Sequence, residues 1–313
     1  MERFLVTGGS GFIGSNICRR LVREGCFVRV LDNLLTGKKS NLADIIDRVE
    51  FIEADMGDPE VAVAAMRDID VVFHEGALPS VPRSVDDPAL THQHCVDATF
   101  TLLLAARDAR IKRFVYAASS SAYGDTPTLP KVETMPTCPL SPYAVGKLVG
   151  EYYGSVFAQV FGLDTIALRY FNVFGPYQDP ASTYAAAIPA FVTKILNGQP
   201  PTVYGDGEQS RDFTFIDNVV EANLKAARCP HKTGGAVVNI ACGEALTVNQ
   251  IIAMINEILG KDIKPKYEPP RAGDVKHSLA DITAARNLIG YEPVVSFRDG
   301  LTQAVAWYRE HWN

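Results

Sequence analysis

Residues 6–14 read VTGGSGFIG, and this stretch restricts the fold more than any other. An apolar run, RFLVTG (3–8), ends in glycines at 8, 11 and 14, and an amphipathic helix pattern starts directly behind them. A strand that turns through G-x-x-G-x-x-G into a helix brings bare backbone amides to the helix N-terminus, where a pyrophosphate can dock. Gly8, Gly11 and Gly14 alone would be a weak signal, because many tight turns use glycine. The strand before and the helix after make the loop a dinucleotide cradle.

The rest of the first half repeats this alternation. CFVRVLD (26–32), VEFIEAD (49–55), DVVFHEG (70–76), RFVYAAS (113–119) and DTIALRYF (164–171) read as strands, and 13–24, 59–67, 89–109 and 143–161 as helices. Alternating β and α units imply a parallel, doubly wound sheet. After Phe171 the regularity breaks into turn formers and aromatics, as expected of a smaller, looser substrate region. A strand and helix over DFTFIDNVVEANLKAA and a strand at 236–241 follow, with further helices at 247–259 and 299–310.

The second strand ends in VLDN, which puts Asp32 about twenty residues beyond the glycine loop, as a dinucleotide site requires. A carboxylate there accepts hydrogen bonds from an adenosine ribose and repels a 2′-phosphate. The expectation is NAD rather than NADP; the alternative is that Asp32 merely caps a loop.

SPYAVGK (141–147) sets a tyrosine four residues before a lysine. On a helix Tyr143 and Lys147 share a face. The bland reading is a partly buried ring beside a snorkelling amine. The loop and Ser119 shift the balance, because Ser119 ends a strand at the carboxyl edge of the sheet, where ligands of such sheets bind. Lys147, helped by a positive nicotinamide, would lower the Tyr143 pKa so that the phenol acts as base or acid on a sugar hydroxyl, with Ser119 bonded to the same oxygen.

Composition excludes several classes. Of 313 residues 47% are hydrophobic and 21% charged, with net charge −6 and no basic run, so nucleic acid and anionic membrane are poor partners. The six cysteines form no C-x-x-C pair and no zinc spacing. HQH (92–94) reads as a solvated helix face, so no metal is expected. Met1 leads directly into an apolar run without a signal-peptide pattern, and the expected compartment is the reducing cytoplasm.

These motifs, with LRYFNVFGP, GDGEQSRDF and RAGDVKHSLAD further along, give a chain that resembles the extended short-chain dehydrogenase/reductase family, and within it the UDP-hexose 4-epimerases. VPRS (81–84) and QDP (178–180) look most like the bacterial enzymes acting on N-acetylated UDP-hexosamines. The resemblance implies an α/β fold: a doubly wound parallel Rossmann sheet with a smaller C-terminal substrate-binding domain. Residues 1–171, joined by 212–241, would hold NAD, and 172–211 with 242–313 the UDP-sugar. It also implies a homodimer through helices corresponding to 89–109 and 143–161.

Carried over by position, Phe12 and Ile13 would lie along the pyrophosphate and Asn33 would join Asp32 on the ribose. Asp55 and Met56 would flank the adenine, Ala77 and Leu78 the nicotinamide, with Ser80 close to the sugar. Asn172, Arg211 and Arg271 would hold the UDP-hexose diphosphate, Tyr204 the uracil and Asp274 the uridine ribose. Enzymes restricted to plain glucose and galactose close the sugar pocket with a tyrosine at the position of Ser278, and Ala185, Ala186 and Ala187 would add room for an acetamido group. One departure stands out: the family's Asn-Val-x-Gly-Thr is here Cys95-Val96-Asp97-Ala98-Thr99, which bears on packing near the cofactor.

Two rivals remain on sequence. A 4,6-dehydratase or decarboxylase of this fold would, by resemblance, follow its hydroxyl residue with an Asp-Glu pair, where this chain has Ser120 and Ser121. A non-catalytic NAD sensor need not retain the tyrosine and lysine together.

Overall fold

The computed structural model of the protein describes residues 1–180, 187–270 and 276–312. Strand β1 (Arg3–Thr7) enters helix α1 (Phe12–Arg23); β2 (Phe27–Asp32), β3 (Glu50–Glu53), α2 (Pro59–Ala65) and β4 (Val71–His74) follow. Helices α3 (Val81–Asp86), α4 (Pro88–His92) and α5 (Ala98–Asp108) lead to β5 (Arg113–Ser119), and α6 (Pro142–Phe161) leads to β6 (Thr165–Tyr170). Beyond these come β7 (Val173–Phe174), α7 (Ala187–Leu196), β8 (Thr202–Tyr204), β9 (Ser210–Asp212), β10 (Thr214–Phe215) and α8 (Ile216–Ala227). The remainder is β11 (Ala236–Ile240), β12 (Ala245–Thr247), α9 (Val248–Leu259), β13 (Lys266–Glu268), α10 (Thr283–Ile289) and α11 (Phe297–His311).

Seven strands form one parallel sheet in the order β11-β6-β5-β4-β1-β2-β3. The order reverses between β1 and β4, and ligands of doubly wound sheets bind at such a switch point, beyond the carboxyl ends of the strands. Both faces are covered except at the edge strand β3, which is why the inner strands read as largely apolar runs. On β1, Phe4 and Val6 join the core with α1 and α8, while Leu5 joins the other core with α2, α5 and α6. Burying one such side chain contributes about 1.5–3 kcal/mol.

Short antiparallel and parallel pairs occupy the second half: β9 with β12, β8 with β13 and β7 with β10. Strands of two or three residues are too brief for a periodic signal, and the turn-rich sequence hides them. The helix expected over 89–109 is interrupted, since residues Gln93–Asp97 are π-helical. Thr99 Oγ1 donates back to the Cys95 carbonyl at 2.8 Å, a bond that competes with the helical ladder. Among the described residues no helix is long and apolar enough to cross a membrane.

Candidate active site

The glycine loop joins the switch point by close backbone approach. Gly8 adopts φ +66°, and a β-carbon there would lie 2.7 Å from the backbone of Gly76, which follows β4. A β-carbon on Gly14 would sit 2.3 Å from the Gly8 carbonyl oxygen, so only glycine lets α1 start this near the strand. Gly11 caps α1 without any side-chain acceptor, which leaves the first-turn amides open to an anion. Asp32 ties the loop down: its carboxylate accepts the Ser10 amide and the Leu34 amide, each at 2.9 Å. Burial pushes its pKa up while those two amides pull it down.

A cleft of about 830 Å³ opens over this loop. Gly8, Gly11, Phe12, Ile13 and Gly14 form one wall, Asp32, Asn33 and Met56 another, and Ala77 and Ser80 border the far end. Ser80 holds φ +101°, a strained backbone for a non-glycine residue, and its hydroxyl accepts the Arg83 amide. Asp55 and Leu78 are not on the wall: Asp55 accepts the Gly57 amide at 2.8 Å, and Leu78 is buried.

Tyr143 and Lys147 line the same cleft. Ser141 caps α6 by accepting the Ala144 amide, and Pro142 takes the first helical position, where its missing N–H costs nothing. The cap fixes where the helix begins, and hence which face carries the pair. Lys147 is buried, with Nζ donating to the Ala117 carbonyl at 2.8 Å. Ser119 ends β5, and its Oγ accepts from the Ser121 hydroxyl at 2.8 Å and pairs with Tyr143. Ser120 is its neighbour in the short helical turn Ser120–Tyr123.

The electrostatics differ from the sequence expectation in one respect. Burial pushes the Tyr143 phenol up, the Cys95 thiol and the Glu75 carboxyl add to that, and the Ser119 hydrogen bond opposes it. Lys147 is itself pushed down by burial. Burial therefore outweighs the one protein group that lowers the phenol, the Ser119 hydroxyl, and a bound nicotinamide would add a positive charge in the same sense as Ser119.

The sugar-side residues gather around β9. Asn172, at φ +34°, donates from Nδ2 to the Asp212 carbonyl at 2.9 Å and to the Ser278 hydroxyl at 3.3 Å. Arg211 donates to the Lys276 carbonyl at 2.9 Å, and the Ser278 amide to the Ser210 carbonyl at 3.0 Å. Asp212 beneath them accepts the amides of Cys242, Gly243 and Ala280, which clasps two loops to the end of β9. Tyr204 ends β8, its carbonyl taking the Gln209 side chain, and Ala187 starts α7. Arg271, Asp274, Ala185 and Ala186 lie outside the described residues.

Several wall residues carry no local signal in the sequence. Tyr170, at the carboxyl end of β6, could have been found by the edge rule; Trp307 and Trp312, in and just after α11, could not. HQH also reads wrongly as one solvated face. His92 is exposed, but His94 is buried and lines the cleft, because residues two apart on a helix point to opposite sides. No cluster among the described residues has the His, Cys, Asp and Glu set of a metal site.

The profile of the NAD dependent epimerase/dehydratase family matches residues 4–241. The chain belongs to that family. Its cofactor is NAD, and the uncapped α1, the glycine cradle and Asp32 fit it. A UDP-glucose 4-epimerase of Mycolicibacterium smegmatis is 37% identical over 98% of each chain. The UDP-N-acetylglucosamine 4-epimerase of Methanobrevibacter ruminantium, solved with UDP-N-acetylmuramic acid, superposes with TM-score 0.95 at 40% identity over 99% of each chain. A UDP-glucose 4-epimerase of Thermus thermophilus solved with NAD gives TM-score 0.89 at 35% identity, covering 98% of this chain and 99% of that one.

Proposed function

We propose that the protein inverts C4 of a UDP-hexose through a 4-keto sugar. The observation that carries this reading is Tyr143, Lys147 and Ser119 meeting beside a dinucleotide cradle at the carboxyl edge of the sheet. When bound, NAD supplies a reversible hydride acceptor, so there is no net oxidation. Tyr143 takes the O4 proton and later returns it, Ser119 holds the same oxygen, and Lys147 places a buried cation one helical turn behind. Inversion requires the keto sugar to show its other face, so the site must grip the nucleotide and leave the sugar loose. Asn172, Tyr204, Arg211, Arg271 and Asp274 are the proposed grip; residues 1–171 with 212–241 hold the cofactor.

The dehydratase reading lacks its acid and base, because Ser120 and Ser121 stand there and the Ser121 hydroxyl is spent on Ser119. A product with a 4-keto-6-deoxy sugar would overturn the epimerase reading.

Ser278, a small side chain within reach of Asn172, leaves room for an acetamido group at C2. We expect UDP-GlcNAc and UDP-GalNAc to interconvert, with UDP-Glc and UDP-Gal accepted too, since an unfilled space discriminates by only about 1–3 kcal/mol. Ser278→Tyr should lower kcat/KM for the acetamido sugars by about 10–200-fold and spare the plain hexoses. Product analysis by NMR, with both sugars offered in parallel, decides the point; an unmodified enzyme that ignores UDP-GlcNAc refutes the gate.

A homodimer is part of the reading. The two charged residues of α6, Lys147 and Glu151, are both buried, while Val145, Tyr152, Val156 and Val160 are exposed beside Phe100 of α5. An uncharged helical face of this size suits a second copy of itself. Light scattering after size exclusion should give a dimer, and Val156→Glu a monomer; a monomeric unmodified chain would remove the interface. The six free cysteines suit a reducing compartment, and we propose the cytoplasm.

A further inference from the structure

Glu75 is a carboxyl on the cleft wall to which the proposed reaction assigns no task. It follows His74 at the end of β4, next to the contact of Gly8 with Gly76. His74 is bonded to Thr7 and Thr99, at 2.7 and 2.9 Å, and alternation along the strand turns Glu75 to the opposite face. There the Tyr170 hydroxyl donates to Glu75 Oε1 at 2.9 Å, and Asn223 Nδ2 donates to that hydroxyl at 2.8 Å. Oε2 is buried and has no hydrogen-bond partner.

The titratable groups around this carboxyl are Lys147 and Tyr143 from α6, Tyr170 from β6 and Cys18 from α1. From α8 comes only the neutral Asn223, from β1 the Thr7 carbonyl that takes the Glu75 amide, and from β5 the uncharged Ala117 and Ala118. Lys147 spends its ammonium on the Ala117 carbonyl and makes no ion pair with Glu75. Burial pushes the carboxyl up to about 7, against the Tyr170 hydrogen bond and the Lys147 charge.

We propose that Glu75 takes up a proton when the dinucleotide enters the cleft, so that NAD binding is linked to protonation of this one side chain. The inference rests on the NAD reading of the site. A dinucleotide brings two phosphate charges against one positive nicotinamide, a net negative charge, and displaces water from the cleft wall; both changes disfavour a carboxylate. The proton comes from solvent and goes to Oε2, leaving Oε1 to accept from Tyr170 as before.

The test is calorimetric titration of nucleotide-free protein with NAD, from pH 6 to 9, in two buffers of different ionisation enthalpy. The expected uptake is near zero at pH 6 and about one proton at pH 8.5, with Kd weakening about tenfold per pH unit above 8. Glu75→Gln keeps an amide oxygen for Tyr170 and should bind with no uptake and a flat Kd. If that variant does not fold, the infrared difference spectrum of the unmodified protein at pH 8.5 should gain the carbonyl band of a protonated carboxylic acid on NAD binding. Absence of buffer-dependent uptake, absence of the band, or undiminished uptake in Glu75→Gln overturns the linkage. Failure of NAD to bind at any pH would overturn the cofactor reading, and the linkage with it.

Discussion

Tyr143→Phe should retain NAD and UDP-sugar binding while kcat falls by about 10²–10⁴-fold, the range associated with losing a positioned proton-transfer group. The phenyl ring fills the same space at the top of α6, so the cap at Ser141 and the buried Lys147 have no reason to move. What disappears is the hydroxyl bonded to Ser119. Any rise of kcat with pH that reports ionisation of this phenol should vanish with the hydroxyl. Steady-state kinetics with a direct NAD-binding measurement separate the two effects. A variant within threefold of normal kcat would remove Tyr143 from the proton transfer.

Glu151→Gln should cost about 3–5 kcal/mol of stability, the usual penalty for breaking a buried ion pair from one side. Glu151 lies on α6 and Arg169 on β6, joined by two hydrogen bonds of 2.9 and 2.7 Å, with both side chains almost wholly buried. The guanidinium also stacks over the Tyr123 ring, 4.6 Å from its centroid. Losing the carboxylate strands a cation whose Nη1 already has no partner. Replacing both residues by methionine should recover much of the loss, because no unpaired charge remains. Urea unfolding of the three proteins measures this, and a loss below about 1 kcal/mol in the single variant would show that the clasp contributes little.

The first half of the fold was legible because all of its strands but the edge strand β3 are buried enough on both faces to stand out as apolar runs. The glycine loop and the Tyr143–Lys147 spacing were legible for a related reason: each places its atoms through one local element. Cys95 shows where such reading stops. Its thiol reaches the Leu78 carbonyl and its β-carbon faces Gly146, where an added β-carbon would come within 2.9 Å, so the departure from the family's asparagine is absorbed by contact across helices. That contact and the Asp212 clasp depend on residues distant in sequence, and neither leaves a periodic trace.

Trp307 and Trp312 share a cleft with Gly8, so its walls come from opposite ends of the sequence. During synthesis the glycine loop emerges first, and the cleft gains its last wall only when α11 has been made and docked. The nucleotide therefore meets its complete site, and gives its full binding free energy, only in a chain that has finished folding. Half-made or misdocked copies gain less of that protection, which ties cofactor occupancy to completed folding in a population of these molecules.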